Sequence, residues 1–237
     1  YGYTKRMGIE RGEYYTLLLF SLTGMMLMAQ ATDLIMVFLA LELLSIPLYV
    51  LAAFARDKTD SEEAGLKYFL LGAFSSGFLV YGIALIFGAT HTTNIFAIVE
   101  FVSTSTGSLL LTIGAALLLI GFGFKVAVVP FHMWTPDVYQ GAPTAVTAFM
   151  TSGAKIAGFA ALLRVFATAF PSIAADMTNV FWVISAATMI LGNVAAVAQT
   201  DIKRLLAYSS IAHAGYILMA FVPYGNETVV ATSVAAG

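Results

Sequence analysis

The sequence predicts an all-α protein that crosses a membrane several times, with one crossing broken by proline. Hydrophobic residues make up 60% of the 237 and charged residues only 10%, whereas soluble proteins carry about 25% charged residues. The mean hydropathy is +0.90, and apolar runs long enough to span a bilayer recur along the chain. One of these runs contains Pro130 and Pro136. A polytopic transmembrane helix bundle with one proline-broken helix accounts for these observations.

Apolar segments of about 20 residues mark the expected crossings, because that length spans the hydrocarbon core as a helix. We expect them at 14–31, 33–54, 64–88, 108–140, 143–169, 178–199 and 202–222, with a further one beginning near residue 228. The charged stretch 56–65 is predicted to be a solvated loop, and the Thr- and Ser-rich stretch 89–107 is predicted to lie at a surface. The chain lacks an initiator Met, so we expect it to be a fragment of a longer protein.

Segment 108–140 is too long for one straight crossing. Pro130 and Pro136 each remove a backbone donor and clash with the preceding turn, so we expect the helix to break near 129–131. Unpaired backbone at membrane depth is tolerated only where it is buried in protein or lines water. Broken helices near mid-membrane are typical of ion sites in transporters.

The distribution of Lys and Arg predicts the orientation in the membrane. The loops on the opposite side from residue 1, at 89–107, 170–177 and 223–227, contain neither residue type. The side of residue 1 receives Lys5, Arg6, Arg11, Arg56, Lys58, Lys203 and Arg204. Because positive loops stay inside, the side of residue 1 is expected to be the cytoplasmic (or matrix or stromal) side.

Glu42 and two lysines, Lys125 and Lys155, fall inside expected crossings. A lysine at bilayer depth costs about 2.5–3.5 kcal/mol on insertion scales, so it persists there mainly for function. Glu42 is the expected partner of Lys125, and such a pair acts as a proton switch if the separation of its charges changes. Ser45 and Tyr49 follow Glu42 on the same helix face, which can carry water. A static ion pair, or a structural carboxylate at position 42, is the alternative.

A polar stripe leads to Lys155. Thr144, Thr147, Thr151 and Lys155 recur at steps of 3, 4 and 4 residues, which places them on one helical face. The stripe predicts a file of water that reaches Lys155 from the side of residue 1. The alternative is that the threonines hydrogen-bond the carbonyls four residues earlier or pack against neighbouring helices.

Two further ionisable residues each leave two interpretations open. Lys67 lies near the end of segment 64–88, where it either extends to the membrane surface or biases the Glu42–Lys125 pair by its charge. His213 lies in the middle of segment 202–222. It is either a structural hydrogen-bonding group or a member of a proton relay, for which the ordinary pKa of histidine is suited.

The sequence carries no motif for cofactor or metal chemistry. Cysteine is absent, which excludes disulfides and thiolate-held iron–sulfur clusters. No glycine-rich phosphate loop, metal-ligand cluster or nucleophile–base pair occurs, and no basic patch indicates nucleic acid. We therefore expect neither a cofactor nor a metal on this chain.

Three stretches closely resemble the N-subunit family of proton-pumping NADH:quinone oxidoreductase, respiratory complex I. They are FLALELLSIPLYVLAAF, GFGFKVAVVPFHMWTPDVYQGAPTAVTAFMTSGAKIAGFAALLRVF and TDIKRLLAYSSIAHAGYILM. The resemblance implies an antiporter-like fold with two inverted five-helix repeats, of which this chain would hold a part. Residues 14–169 would form the first repeat, including the broken helix 108–140, and 178–237 would begin the second.

The resemblance also implies a role for each ionisable residue. Glu42 matches the carboxylate of the family's helix five, and Lys125 matches the lysine of its broken helix seven. Lys155 matches the central lysine that passes the proton along, and Lys67 matches a modulating lysine of helix six. His213 lies in a stretch similar to helix ten, on the family's hydrophilic axis. The exit-side lysine of the family is expected beyond Gly237.

The function implied by the resemblance is proton translocation coupled to quinone reduction in other subunits, with no redox centre on this chain. The implied partners are antiporter-like neighbours and small membrane subunits of complex I, together with lipid, protons and internal water. The implied location is the bacterial plasma membrane. The rival interpretations are a subunit of a cation/proton antiporter complex or membrane-bound hydrogenase of the same fold, and a structural subunit that moves no protons.

Overall fold

The computed structural model describes residues 2–104, 108–170 and 174–225. Within these ranges the regular structure is helical, apart from one isolated bridge between Asp33 and Asn94. The all-α prediction is therefore confirmed. The further segment expected near residue 228 lies outside the described residues.

The helices follow the apolar segments of the sequence. They are α1 (Gly2–Arg6), α2 (Gly12–Gln30), α3 (Leu34–Ala52), α4 (Thr59–Thr90), α5 (Ile95–Thr104), α6 (Leu109–Val126), α7 (Trp134–Gly141), α8 (Thr144–Phe149), α9 (Lys155–Ala169), α10 (Ala174–Val197) and α11 (Ile202–Leu218). A π-helical turn, Met150–Ala154, joins α8 to α9, and a 3₁₀ helix, Met219–Gly225, follows α11.

Six helical stretches are long and apolar enough to cross a membrane. They are Leu34–Ala52, Thr59–Thr90, Leu109–Val126, Thr144–Ala169, Met177–Val197 and Ile202–Val222. They correspond to six of the expected crossings. The remaining expected crossing, 14–31, corresponds to α2, which is 19 residues long and packs along α3. It is not among the six, so its crossing stays a prediction.

Two predicted surface stretches are more ordered than the sequence indicated. The loop expected at 56–65 ends early, because α4 already begins at Thr59 with Asp60 and Glu62 in its first turn, where acidic side chains favour a helix N-terminus. The stretch 89–107 contains α5, whose Ile95 and Ile98 are buried. The Thr and Ser residues of this stretch concealed an amphipathic helix from the sequence-based prediction.

The predicted break in segment 108–140 is confirmed. α6 ends at Val126, Ala127 takes a left-handed conformation with φ +62°, and α7 begins at Trp134. The freed backbone groups find partners inside the protein. The Val129 N–H donates to Thr188 Oγ1 at 3.0 Å, and the indole of Trp134 donates to the Phe124 carbonyl at 3.0 Å. Two of the freed groups are therefore satisfied within the protein, while Pro130 and Met133 at the break are exposed.

Close helix contacts hold α4 against α6. A Cβ added to Gly82 would lie 2.8 Å from the carbonyl oxygen of Gly114 and 3.0 Å from the backbone nitrogen of Leu118. Backbone atoms cannot move aside as a flexible side chain can, so only glycine fits at position 82. The small residues let the two backbones approach closely, as is common between membrane helices.

We predict that Gly82→Ala lowers the free energy of unfolding by about 1–3 kcal/mol, because the added methyl group overpacks the α4–α6 contact. The matched control is Gly77→Ala on the same helix, where nothing lies within 4 Å of the Cβ position. That variant should leave stability unchanged or raise it by up to about 1 kcal/mol. Denaturant unfolding in mixed micelles measures both, and equal effects would contradict the close approach.

Candidate functional site

Lys125 lies at the junction of three helices. It occupies the last turn of α6 and is 4% exposed. Its ammonium nitrogen donates to Ser45 Oγ of α3 at 2.7 Å and to the hydroxyl of Tyr68 of α4 at 3.4 Å. The same nitrogen lies 5.7 Å from the centre of the Tyr68 ring, within the range of a cation–π contact. Hydroxyl groups and an aromatic face thus hold the buried amine.

Glu42 lies at the same junction but does not touch Lys125. It precedes Ser45 by one helical turn on α3 and is partly buried. Its Oε1 accepts a hydrogen bond from Ser76 Oγ of α4. None of the ion pairs found in the described residues joins Glu42 to Lys125. The structure therefore gives each of the two predicted partners a serine hydroxyl as its contact, and the described residues do not form the static ion pair.

A small cavity connects the two sets of hydroxyl groups. Its volume is about 10 Å³, roughly the smallest space that holds one water molecule. The walls include Ser45, which contacts Lys125, and Ser76, which contacts Glu42, together with Tyr49 and Ser75. One water molecule at this point would complete a hydrogen-bonded path from the carboxylate to the amine.

Lys155 forms a second buried site, 7% exposed, at the start of α9. Its ammonium nitrogen donates to both oxygens of Ser210 on α11, the carbonyl at 2.8 Å and the hydroxyl at 2.6 Å. The nitrogen also lies 5.9 Å from the centre of the Tyr139 ring. The π-helical turn Met150–Ala154 directly precedes the lysine. Such turns occur frequently at functional sites, and nothing in the apolar periodicity indicated this one.

The threonine stripe of α8 and the π turn lines a cavity of about 510 Å³. Thr144, Thr147 and Thr151 face it from one side, and α11 closes it from the other. The hydroxyls of Thr147 and Thr151 donate to the carbonyls of Tyr139 and Thr147, each at 3.0 Å. The stripe thus both faces open space and bonds the backbone, so its oxygens can still accept from water.

His213 lines the same cavity, together with Ser209, Ser210 and Lys203. Its ring is exposed and lies edge-on to the ring of Tyr216, with centres 5.4 Å apart. No hydrogen bond of the described residues joins it to Lys155. The structure therefore places the histidine on the cavity-facing side of α11, one turn beyond the serine that holds Lys155.

Lys67 does not lie at the Glu42–Lys125 junction. Its ammonium nitrogen is 2.6 Å from Glu63 Oε1 and 2.6 Å from Asp137 Oδ2, and its side chain is 41% exposed. The structure favours the surface interpretation over direct action on the buried pair. Its long-range partner, Asp137, belongs to α7.

Asp137 is a residue that the sequence reasoning missed. One carboxylate oxygen accepts from Lys67 of α4, and the other accepts from Arg204 Nη1 of α11 at 2.6 Å. Lys203 adds hydrogen bonds to the carbonyls of Gln140 and Ala142 at the end of α7, at 2.6 and 2.8 Å. Cationic groups are favoured at a helix C-terminus. Ionic contacts and hydrogen bonds thus bind α7 to both α4 and α11. The signal available in the sequence was that Asp137 is the only acidic residue in segment 108–140.

The described residues contain no group of three His, Asp or Glu side chains that could hold a metal ion. What the site offers is instead a set of amines, hydroxyls and carboxylates that can exchange protons with water. Buried amines such as those of Lys125 and Lys155 are costly in lipid and are typical of ion or proton pathways.

Comparison with known proteins places these residues in a wider context. A family model described as NADH:quinone oxidoreductase/Mrp antiporter, TM, matches residues 31–235. A protein of Trichlorobacter lovleyi named NADH-quinone oxidoreductase subunit N is 57% identical over 221 residues, and one of Chloroflexus aggregans with the same name is 52% identical over 234 residues. The alignments cover 92% and 95% of this chain but 45% and 47% of those proteins. The chain thus spans about half the length of the curated relatives it matches.

Two solved structures show the same architecture. A chain of respiratory complex I from Thermus thermophilus with bound aureothin gives a TM-score of 0.77 at 46% identity, covering 91% of this chain and 46% of that chain. A chain of the Mrp complex from Dietzia sp. DQ12-45-1b gives a TM-score of 0.79 at 28% identity, covering 87% and 38%.

The partner assigned to Lys67 can be tested by double-mutant cycles on the free energy of unfolding. We predict a coupling of about 0.2–1 kcal/mol between Lys67→Ala and Asp137→Ala, the range found for partly exposed ion pairs. Lys67→Ala and Glu42→Ala should be additive, since these residues share no contact. Coupling in the second cycle with none in the first would reverse the assignment.

Proposed function

Because the chain belongs to the transmembrane family shared by NADH:quinone oxidoreductases and Mrp antiporters, we propose that it moves protons as part of a complex I-type assembly. The protons would move through a buried relay in which Glu42 controls Lys125 and Lys125 passes its proton to Lys155, driven by quinone reduction in other subunits. The relatives at 52–57% identity carry the name of the N subunit, which supports this assembly in particular.

The observation that carries the proposal is the setting of Lys125. Its amine is almost fully buried and held by neutral hydroxyls, while Glu42, at the same junction, is bound to Ser76, which lines a water-sized cavity together with Ser45. A small approach of Glu42 would stabilise the charged amine, and a small retreat would favour loss of its proton. A carboxylate and an amine that are not in direct contact are suited to such switching.

The proton path then has three steps. A proton leaves the Lys125 ammonium when Glu42 moves away, a neutral Lys155 amine receives it, and Lys125 regains a proton from water on the cytoplasmic side. Ser210 holds the Lys155 amine in place to receive the proton. The cavity beside α11, with His213 on its wall, is where water would reach this region.

The wider arrangement is part of the same proposal. Residues 14–169 form the first five-helix repeat and 178–237 begin the second. The Lys- and Arg-rich side, which includes Lys67 and Arg204, faces the cytoplasm of a bacterial cell. The chain assembles with antiporter-like and small membrane subunits of complex I. Lys67 acts on proton transfer through α7, to which it is bound.

A second candidate function is cation/proton exchange. The chain of the Mrp complex from Dietzia superposes as well as the complex I chain does, so the fold does not separate the two. The sequence identity does favour complex I, at 46% against 28%. Dependence of transport on a sodium gradient in the intact assembly would support the second candidate.

We predict that Lys125→Ala in the assembled complex lowers the number of protons moved per NADH oxidised, because the first amine of the path is lost. Proton uptake into vesicles, measured beside NADH oxidation, gives this ratio. Lys5→Ala is the matched control, since Lys5 is exposed in α1 and loses the same charge. A full proton yield in the Lys125 variant would show that the chain is a structural subunit.

A further inference from the structure

The two buried lysines are joined by an unbroken row of aromatic rings. Tyr68 contacts Lys125, and its ring stacks on Trp134 with centres 4.6 Å apart and planes 9° from parallel. Trp134 meets the ring of Tyr139 edge-on at 5.8 Å, and Tyr139 faces Lys155. We call Tyr68, Trp134 and Tyr139 the aromatic row. All three side chains are at most 3% exposed, so the row is a dry partition between the amines.

The middle member of this row cannot carry a proton. An indole has one N–H donor and no acceptor, and the N–H of Trp134 is already committed to the Phe124 carbonyl at 3.0 Å. The tyrosines on either side do carry hydroxyls, but the indole keeps them from forming a continuous chain. The ring is also held from behind by Phe124, with centres 5.2 Å apart. As it stands, the row separates Lys125 from Lys155.

We propose that Trp134 is a gate between the two lysines, closed in this structure, which must move before a proton can pass. This inference rests on the proposed proton path. When the indole swings aside, water enters between the tyrosines, and a proton leaves the Lys125 ammonium as a neutral amine and reaches the neutral amine of Lys155. Trp134 itself neither gives nor takes a proton, so it is a positioning residue.

Two features around Trp134 fit a gate that opens. The hydroxyl of Thr135, the next residue, is fully buried and has no hydrogen-bond partner, which is costly in a closed site. Water admitted by a displaced indole would satisfy it. In addition, α7 carries both Trp134 and Tyr139, and Asp137 between them makes ionic contacts with Lys67 and Arg204. A shift of α4 or α11 would thus be passed to the gate through charged contacts.

A pump needs such a gate, because an open path lets protons slip. If water joined the lysines at all times, Lys155 would exchange protons with Lys125 whether or not Glu42 had moved. The driving reaction would then continue while fewer protons crossed the membrane. Loss of the gate is therefore expected to lower the proton yield while NADH oxidation continues.

The test compares variants of the full assembled complex in proteoliposomes, reading proton yield per NADH and the rate of NADH oxidation. We expect Trp134→Ala to lose proton yield to the extent that Lys125→Ala does, with NADH oxidation at the rate of the unchanged complex. Trp134→Phe, which keeps a flat ring at the partition, should retain the yield. Phe131→Ala is the matched control, since Phe131 lies at the same break, against Gly123, outside the aromatic row.

The outcomes separate the gate from the path. A full proton yield in Trp134→Ala, with a reduced yield in Lys125→Ala, overturns the gate and leaves the proton path in place. A full yield in Lys125→Ala overturns both. If Trp134→Ala fails to assemble, Trp134→Leu decides, because it keeps apolar volume without a flat ring. A lowered yield there supports the gate, and an undiminished yield overturns it.

Discussion

The structure depends on how amines are accommodated inside a bundle that is otherwise apolar. Lys125 and Lys155 each find hydroxyl oxygens from another helix, Ser45 in one case and Ser210 in the other. A charge in this position is stable only with polar partners, and replacing those partners with carboxylates in direct contact would make the pairs static. Neutral hydroxyls satisfy the amines without fixing their charge, which leaves room for proton exchange.

The broken crossing makes this arrangement possible. Ending α6 at Val126 places Lys125 in a final helical turn, and restarting at Trp134 gives α7 a course of its own between α4 and α11. α7 supplies two rings to the aromatic row. Asp137 in its first turn binds Lys67 and Arg204, and Lys203 binds the carbonyls at its C-terminal end. One short helix thus connects the charged surface of the protein with its buried amines.

The sequence was sufficient for the local features and for the family. The proline pair located the break, the apolar runs located six crossings, and the motifs around Lys125 gave a resemblance that the family match confirmed. The sequence could not predict contacts between residues that are distant along the chain. Helical periodicity tells which residues share a face but not which helix that face meets, so the choice for Lys67 stayed open until Asp137, 70 residues away, was seen beside it.

Other structural features that the sequence did not predict have similar causes. The π turn before Lys155 left no mark in the apolar periodicity, and the start of α4 within a charged stretch was signalled only by the acids of its first turn, Asp60 and Glu62. The aromatic row joins residues of α4 and α7 that no spacing rule relates. The division into two repeats remains a prediction, because the chain spans about half the length of the curated relatives it matches.

A high-resolution structure of the assembled complex in lipid, at rest and during turnover, tests the central claim most directly. We predict an ordered water molecule between Ser45 and Ser76 at rest and a changed distance between the Glu42 carboxylate and the Lys125 amine during turnover. A dry junction whose carboxylate and amine keep the same separation in both states would contradict the account.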